Sequence, residues 1–194
     1  MKKLKILAIA NDKGAGRVVK AMTDVLGAKN EHSVLILAGT NAMTEWASHP
    51  LRKNETVMQV DFSHAPVMNM ALGFNPDVVL SGLSAPIKEH EILDAATKAG
   101  IKTVTFPDRW GAEVRWSGTP TLALAFDTLE EKFLKERGQK TVLVGDSLLS
   151  TVDTIPDDVR ERVKELKSGK RAVILISGQG KPCKLEPIHF VERS

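Results

Sequence analysis

At 194 residues, 42% hydrophobic and 26% charged, the chain has the size and balance of one large globular domain, or of a domain plus a fragment. A net charge of +3 spread over scattered lysines argues against a nucleic-acid surface, and the lone Cys183 cannot close an internal disulfide. No apolar run approaches the ~18–20 residues of a membrane span, so a cytoplasmic protein is expected.

The start, MKKLKILAIAND, carries an apolar run that stops at Asn11-Asp12-Lys13, too early for a secretory leader. Leu4 to Ala10 reads instead as a strand buried on both faces. A glycine-rich loop, Asn11 to Gly16, precedes a helix over Arg17 to Leu26, with Gly27 at its end. Ser33 to Ala38 is a second buried strand, and Asn41 to Ala47 a weak helix closed by His49-Pro50. Thr56 to Phe62 alternates, as a strand near a sheet edge does, and Ala65 to Leu72 is a short apolar helix. Asp77 to Leu80 is a fourth strand. Ser84 and Pro86 suit the cap and first turn of a helix over Ala85 to Ala99, which Gly100 stops.

The fifth strand begins at Ile101 and runs into the loop Asp108 to Trp116, rich in arginine and tryptophan. Thr121 to Phe126 is a sixth strand, Leu129 to Arg137 a helix capped by Asp127 or Thr128, and Thr141 to Val144 a seventh strand. A charged helix over Asp157 to Lys167 and a strand over Arg171 to Ser177 complete the pattern. Strands and helices in this alternation predict a three-layer α/β/α sandwich, with a Rossmann-like, mostly parallel sheet of about seven strands. The break before Pro156 divides the chain into residues 1–155 and 156–194.

Four motifs bear on chemistry. Gly14-Ala15-Gly16 between strand and helix fits either a plain tight turn or a phosphate or sugar contact through Asp12, Lys13 or the glycine backbone. A dinucleotide fingerprint is not met, because Val19 stands where a small residue is wanted and the second strand ends without an acid. Gly145-Asp146-Ser147-Leu148 looks like the nucleophile turn of GDSL-type esterases, with His189 as base, yet too little chain follows Ser147 for the rest of such a fold. His90-Glu91 lacks a second histidine, since position 94 is Asp94. No metal and no cofactor is expected, and Pro182 spoils a P-loop at Gly178 to Lys181. The central loop is either a cover, with Trp110 and Trp116 on the core and Arg109 and Arg115 paired to Asp108 and Glu113, or a sugar or phosphate pocket. Arginine offers phosphate a planar fork, and Asp108 is placed to take a hydroxyl proton.

With these residues in view, the chain resembles the N-terminal half of GT-B-type glycosyltransferases and UDP-N-acetylglucosamine 2-epimerase-like proteins. The resemblance is carried by ANDKGAG, NPDVVLSG, LSAPIKEHEILDAATKAGIKTVTFPDRW, Arg115-Trp116, TLALAFD and TVLVGDSLLSTVD, over about residues 4 to 155. It implies a sugar or sugar-nucleotide ligand held by Asp12, Gly14, Gly16, Ser84, Glu89, Arg109, Trp110 and Arg115, with Asp108 in the catalytic place. GT-B enzymes seat their sugar nucleotide mainly on a second domain, of which RAVILISGQG looks like the first strand and turn. The resemblance therefore implies a second-half protein, a longer parent or a homodimer as partner, in carbohydrate or cell-envelope glycan synthesis. A non-catalytic, stand-alone Rossmann-like binding module is the alternative, and a GDSL-type esterase a third.

Overall fold

In the first two strands every residue past the first is buried, and neighbours face opposite sides of the sheet. In β1 (Lys5–Ala10) and β2 (Ser33–Ala38), Leu7, Ile9, Leu35 and Leu37 join one apolar cluster, while Ile6, Ala8, Val34 and Ile36 join another. Both faces are thus covered, which is why the strands read as unbroken apolar runs.

The computed structural model describes residues 3–27, 32–47, 50–64, 66–84, 87–108, 116–145, 161–162 and 164–165. The chain divides into two units, Met1–Val152 and Asp153–Ser194. Beyond β1 and β2, the first unit holds β3 (Glu55–Gln59), β4 (Val78–Ser81), β5 (Lys102–Thr105), β6 (Leu122–Ala125) and β7 (Thr141–Leu143). Its helices are α1 (Lys13–Gly27), α2 (Thr40–Met43), α3 (Pro66–Gly73), α4 (Ile87–Lys98) and α5 (Thr128–Glu136). All seven strands are parallel, in the order β3-β2-β1-β4-β5-β6-β7. This is the expected Rossmann-like α/β fold.

Helices α3 and α4 cover one face through Val67, Ala71, Ile92, Leu93 and Ala96. Helices α1 and α2 cover the other through Ala15, Val19 and Ala42, with Trp46 beside them. The glycine stops work as local physics requires. Gly100 and Gly138 both take φ of +74°, and the residue after each returns its N–H to a carbonyl five residues back, Ile101 to Ala96 and Gln139 to Leu134. Strand β3 stands at one edge of the sheet, where the alternation of its sequence put it.

The largest departure is at the start of α1. The helix begins at Lys13, not Arg17, so Gly14-Ala15-Gly16 is its first turn and not a loop. Asp12 is the cause: its carbonyl accepts from the N–H of Gly16, and its Oδ1 accepts from the N–H of Ala15 at 2.9 Å. In the second unit the described residues 161–162 and 164–165 are helical, and Lys164 Nζ meets Glu161 Oε1 at 2.7 Å. The strand expected over residues 171–177 lies outside the described residues.

Candidate functional site

The strand order reverses around β1: the chain leaves it for β2 on one side and reaches β4 on the other. Crossovers on opposite faces part there, and open α/β sheets bind their ligands at such a point, outside the carboxyl ends of the strands, here β1 and β4. Asn11 and Asp12 leave the end of β1, Ser84 follows β4, Glu89 sits in the first turn of α4, and Asp108 follows β5.

Asn11, Asp12, Ser84 and Glu89 are joined by hydrogen bonds. The Ser84 oxygen accepts from the backbone N–H of Asn11 at 2.9 Å and of Asp12 at 3.3 Å. Glu89 Oε1 accepts from the Ser81 hydroxyl at 2.6 Å and from the Ser84 N–H at 3.2 Å. Ser81 Oγ in turn accepts from the N–H of Leu83, and the Ser84 carbonyl meets His90 Nε2 at 2.9 Å. Burial pushes the Glu89 carboxyl up to about 7. Bonds from Ser81 and Ser84 oppose that rise, and the Asp12 charge adds to it.

The two glycines of the first turn serve different neighbours. A Cβ on Gly14 would collide with the Asp108 carboxylate, so Gly14 lets that acid lie against the head of α1. There it meets the positive end of the helix dipole, which stabilises a negative charge. A Cβ on Gly16 would lie 3.1 Å from Cα of Ala42, so Gly16 lets α1 approach α2. Gly82 has the same task towards α1, where a Cβ would fall 2.6 Å from Cα of Ala15.

The structure therefore gathers Asp12, Gly14, Ser84, Glu89 and Asp108, with Gly16 in the same first turn of α1. Arg109, Trp110, Glu113 and Arg115 lie outside the described residues, as do Ser147, His189 and Gly178 to Lys181. Trp116 is a core residue: it is buried among side chains of α3 and α4, and its Nε1 donates to Asp94 Oδ1 at 2.7 Å. Sequence reasoning missed Ser81 and Asn11. A hydroxyl closing the apolar run VVL was the available signal for Ser81, whereas Asn11 acts through its backbone and offered none.

Among the described residues no group of three or more His, Cys, Asp or Glu side chains could hold a metal ion, and no helix is long and apolar enough to cross a membrane.

No protein-family model matches the chain, and no curated protein matches it significantly. Solved structures do. A candidate UDP-N-acetylglucosamine 2-epimerase from Listeria monocytogenes aligns with a TM-score of 0.50 at 14% identity, over 72% of this chain and 43% of that one. An epimerase from Methanothermobacter thermautotrophicus aligns at 0.41 and 20% identity, over 54% of this chain and 35% of that one. The Bordetella bronchiseptica enzyme WbmH, in complex with NAD+, aligns at 0.48 and 14% identity, over 93% and 88%. The chain spans less than half the length of either epimerase. At these identities the likeness establishes a shared Rossmann-like fold and nothing finer.

Proposed function

We propose that this chain binds a sugar or sugar-nucleotide-type ligand in the crevice at the carboxyl ends of β1, β4 and β5. In this reading residues 1–155 act as a GT-B-like N-terminal domain, with residues 156–194 as a linker helix and final strand. It works with a second-half protein, as a homodimer or within a longer parent in carbohydrate or cell-envelope glycan synthesis. The observation that carries the reading is the meeting of Asp12, Ser84, Glu89 and Asp108 where the strand order reverses, the place at which open α/β sheets bind ligands. The half-buried carboxylates of Asp12 and Asp108 suit sugar hydroxyls, the buried Ser84 and Glu89 hold the loop beneath them, and Asp108 is the acid we assign to proton transfer. Arg109, Trp110 and Arg115, next along the chain, would supply the phosphate fork and a stacking face. The fold shared with the Listeria protein is consistent with this, as far as a fold goes.

The test is calorimetry of the full chain with UDP-sugars and with acceptor sugars. Heat of binding is expected, with affinity reduced at least tenfold in Asp108→Ala, since truncating one charged hydrogen-bond partner costs roughly 1.5–3 kcal/mol. Silence with every ligand, alone and with neighbouring-gene products, would overturn the reading. Binding without turnover in any combination would favour the stand-alone module. Cleavage of p-nitrophenyl esters lost in Ser147→Ala would favour the esterase.

A further inference from the structure

Glu89 has no exposed surface, and its Oε2 has no hydrogen-bond partner among the described residues. Its other oxygen is held by Ser81 and by the Ser84 N–H, while the Ser84 hydroxyl is close enough to stabilise the charged form. The same Ser84 oxygen anchors the N–H groups of Asn11 and Asp12, and Asp12 caps α1. One short chain of hydrogen bonds thus runs from a buried acid on α4 to the loop that opens the crevice.

We propose that Glu89 is a positioning residue: it holds Asn11 and Asp12 in place through Ser84, and gain or loss of its proton resets that loop. The neutral form carries its proton on Oε2, an orphan group that costs less to bury than a carboxylate with an unpartnered oxygen. On ionising, Glu89 draws harder on the donors within reach, the Ser81 hydroxyl and the N–H and O–H of Ser84. Ser84 Oγ takes the two amides on its lone pairs and keeps its one O–H for Glu89, so a stronger pull on that O–H polarises the oxygen that the amides of Asn11 and Asp12 meet. The charged and titratable groups around this point are Asp12 from the β1–α1 loop, which opposes ionisation, and His90 on α4, which meets the Ser84 carbonyl. Asp108 approaches the head of α1 from the end of β5. With its carboxyl at about 7, Glu89 changes charge in the physiological range.

No ligand is needed to test this. In 15N–1H spectra of the full chain between about pH 5.5 and 8.5, a window bracketing that transition, the amides of Asn11, Asp12 and Ser84 should shift together with one midpoint. Glu89→Gln should flatten all three curves, and His90→Asn should leave them in place. Static amides in the wild type, curves that survive in Glu89→Gln, or curves lost in His90→Asn would each overturn the proposal. Should Glu89→Gln fail to fold, the side-chain carboxyl carbon of Glu89 in the wild type decides. A midpoint shared with the three amides supports the latch, and a midpoint near the ordinary value of 4.5 sinks it.

Discussion

At the scale of single residues, Glu89 leaves a mark on stability as well as on the crevice. The folded protein holds this proton up to about pH 7, while the unfolded chain releases it near 4.5. The folded state therefore binds more protons between those values, and stability falls as pH rises through that window. The loss amounts to roughly 3 kcal/mol if the full shift is expressed. Glu89→Gln keeps an acceptor for Ser81 and Ser84 but cannot ionise. Chemical denaturation should find it level with the wild type near pH 5 and more stable near pH 8, with a flatter profile between. A wild-type profile already flat across that range would contradict the burial argument. Trp116 teaches the opposite lesson about single residues. Its neighbours in the sequence suggested a ligand loop, but an indole that finds both an apolar bed and a carboxylate acceptor belongs to the core.

At the scale of elements, the contact between the head of α1 and the sheet sets the site. Gly82 brings the end of β4 against Ala15, and Gly14 admits Asp108. Gly82→Ala should cost about 1–3 kcal/mol through overpacking, because the atoms it meets are the backbone and Cβ of Ala15, which cannot swing aside. Gly73→Ala, at the end of α3 with nothing within 4 Å, should be neutral or stabilising by up to about 1 kcal/mol. Thermal denaturation of the pair separates close approach from mere helix propensity, and equal effects would mean that the α1–β4 contact yields easily. The early start of α1 belongs at this scale too. Glycines in the first turn weaken the periodic signal, so the sequence pattern begins only at Arg17, while the Asp12 cap extends the helix backwards.

At the scale of the molecule, the two edges that the sheet has among the described residues differ. Strand β3 carries Glu55, Thr56 and Gln59, but at the other edge Val142, Leu143 and Val144 are each more than 40% exposed. An apolar edge strand with open backbone groups is a template for pairing. Val142→Lys combined with Val144→Lys should leave the circular dichroism unchanged and lower concentration-dependent self-association in sedimentation runs. Association equal to that of the wild type would show that this edge takes no part in it.

The amino-acid sequence by itself determined the alternation of seven strands with helices, the helix stops at Gly100 and Gly138, and the parallel sheet buried on both faces. These follow from hydrophobic period and from the backbone freedom of glycine, which act within a few residues. Tertiary structure alone decided that Ser84 holds the loop after β1, that Gly14 makes room for Asp108, and that Gly16 lets α2 pack close. It also decided that Glu89, a surface-type residue by composition, is sealed beneath the crevice. The contacts of Ser84, Gly14 and Gly16 join segments some 26 to 94 residues apart, and no local pattern encodes which distant backbone will arrive beside a given side chain.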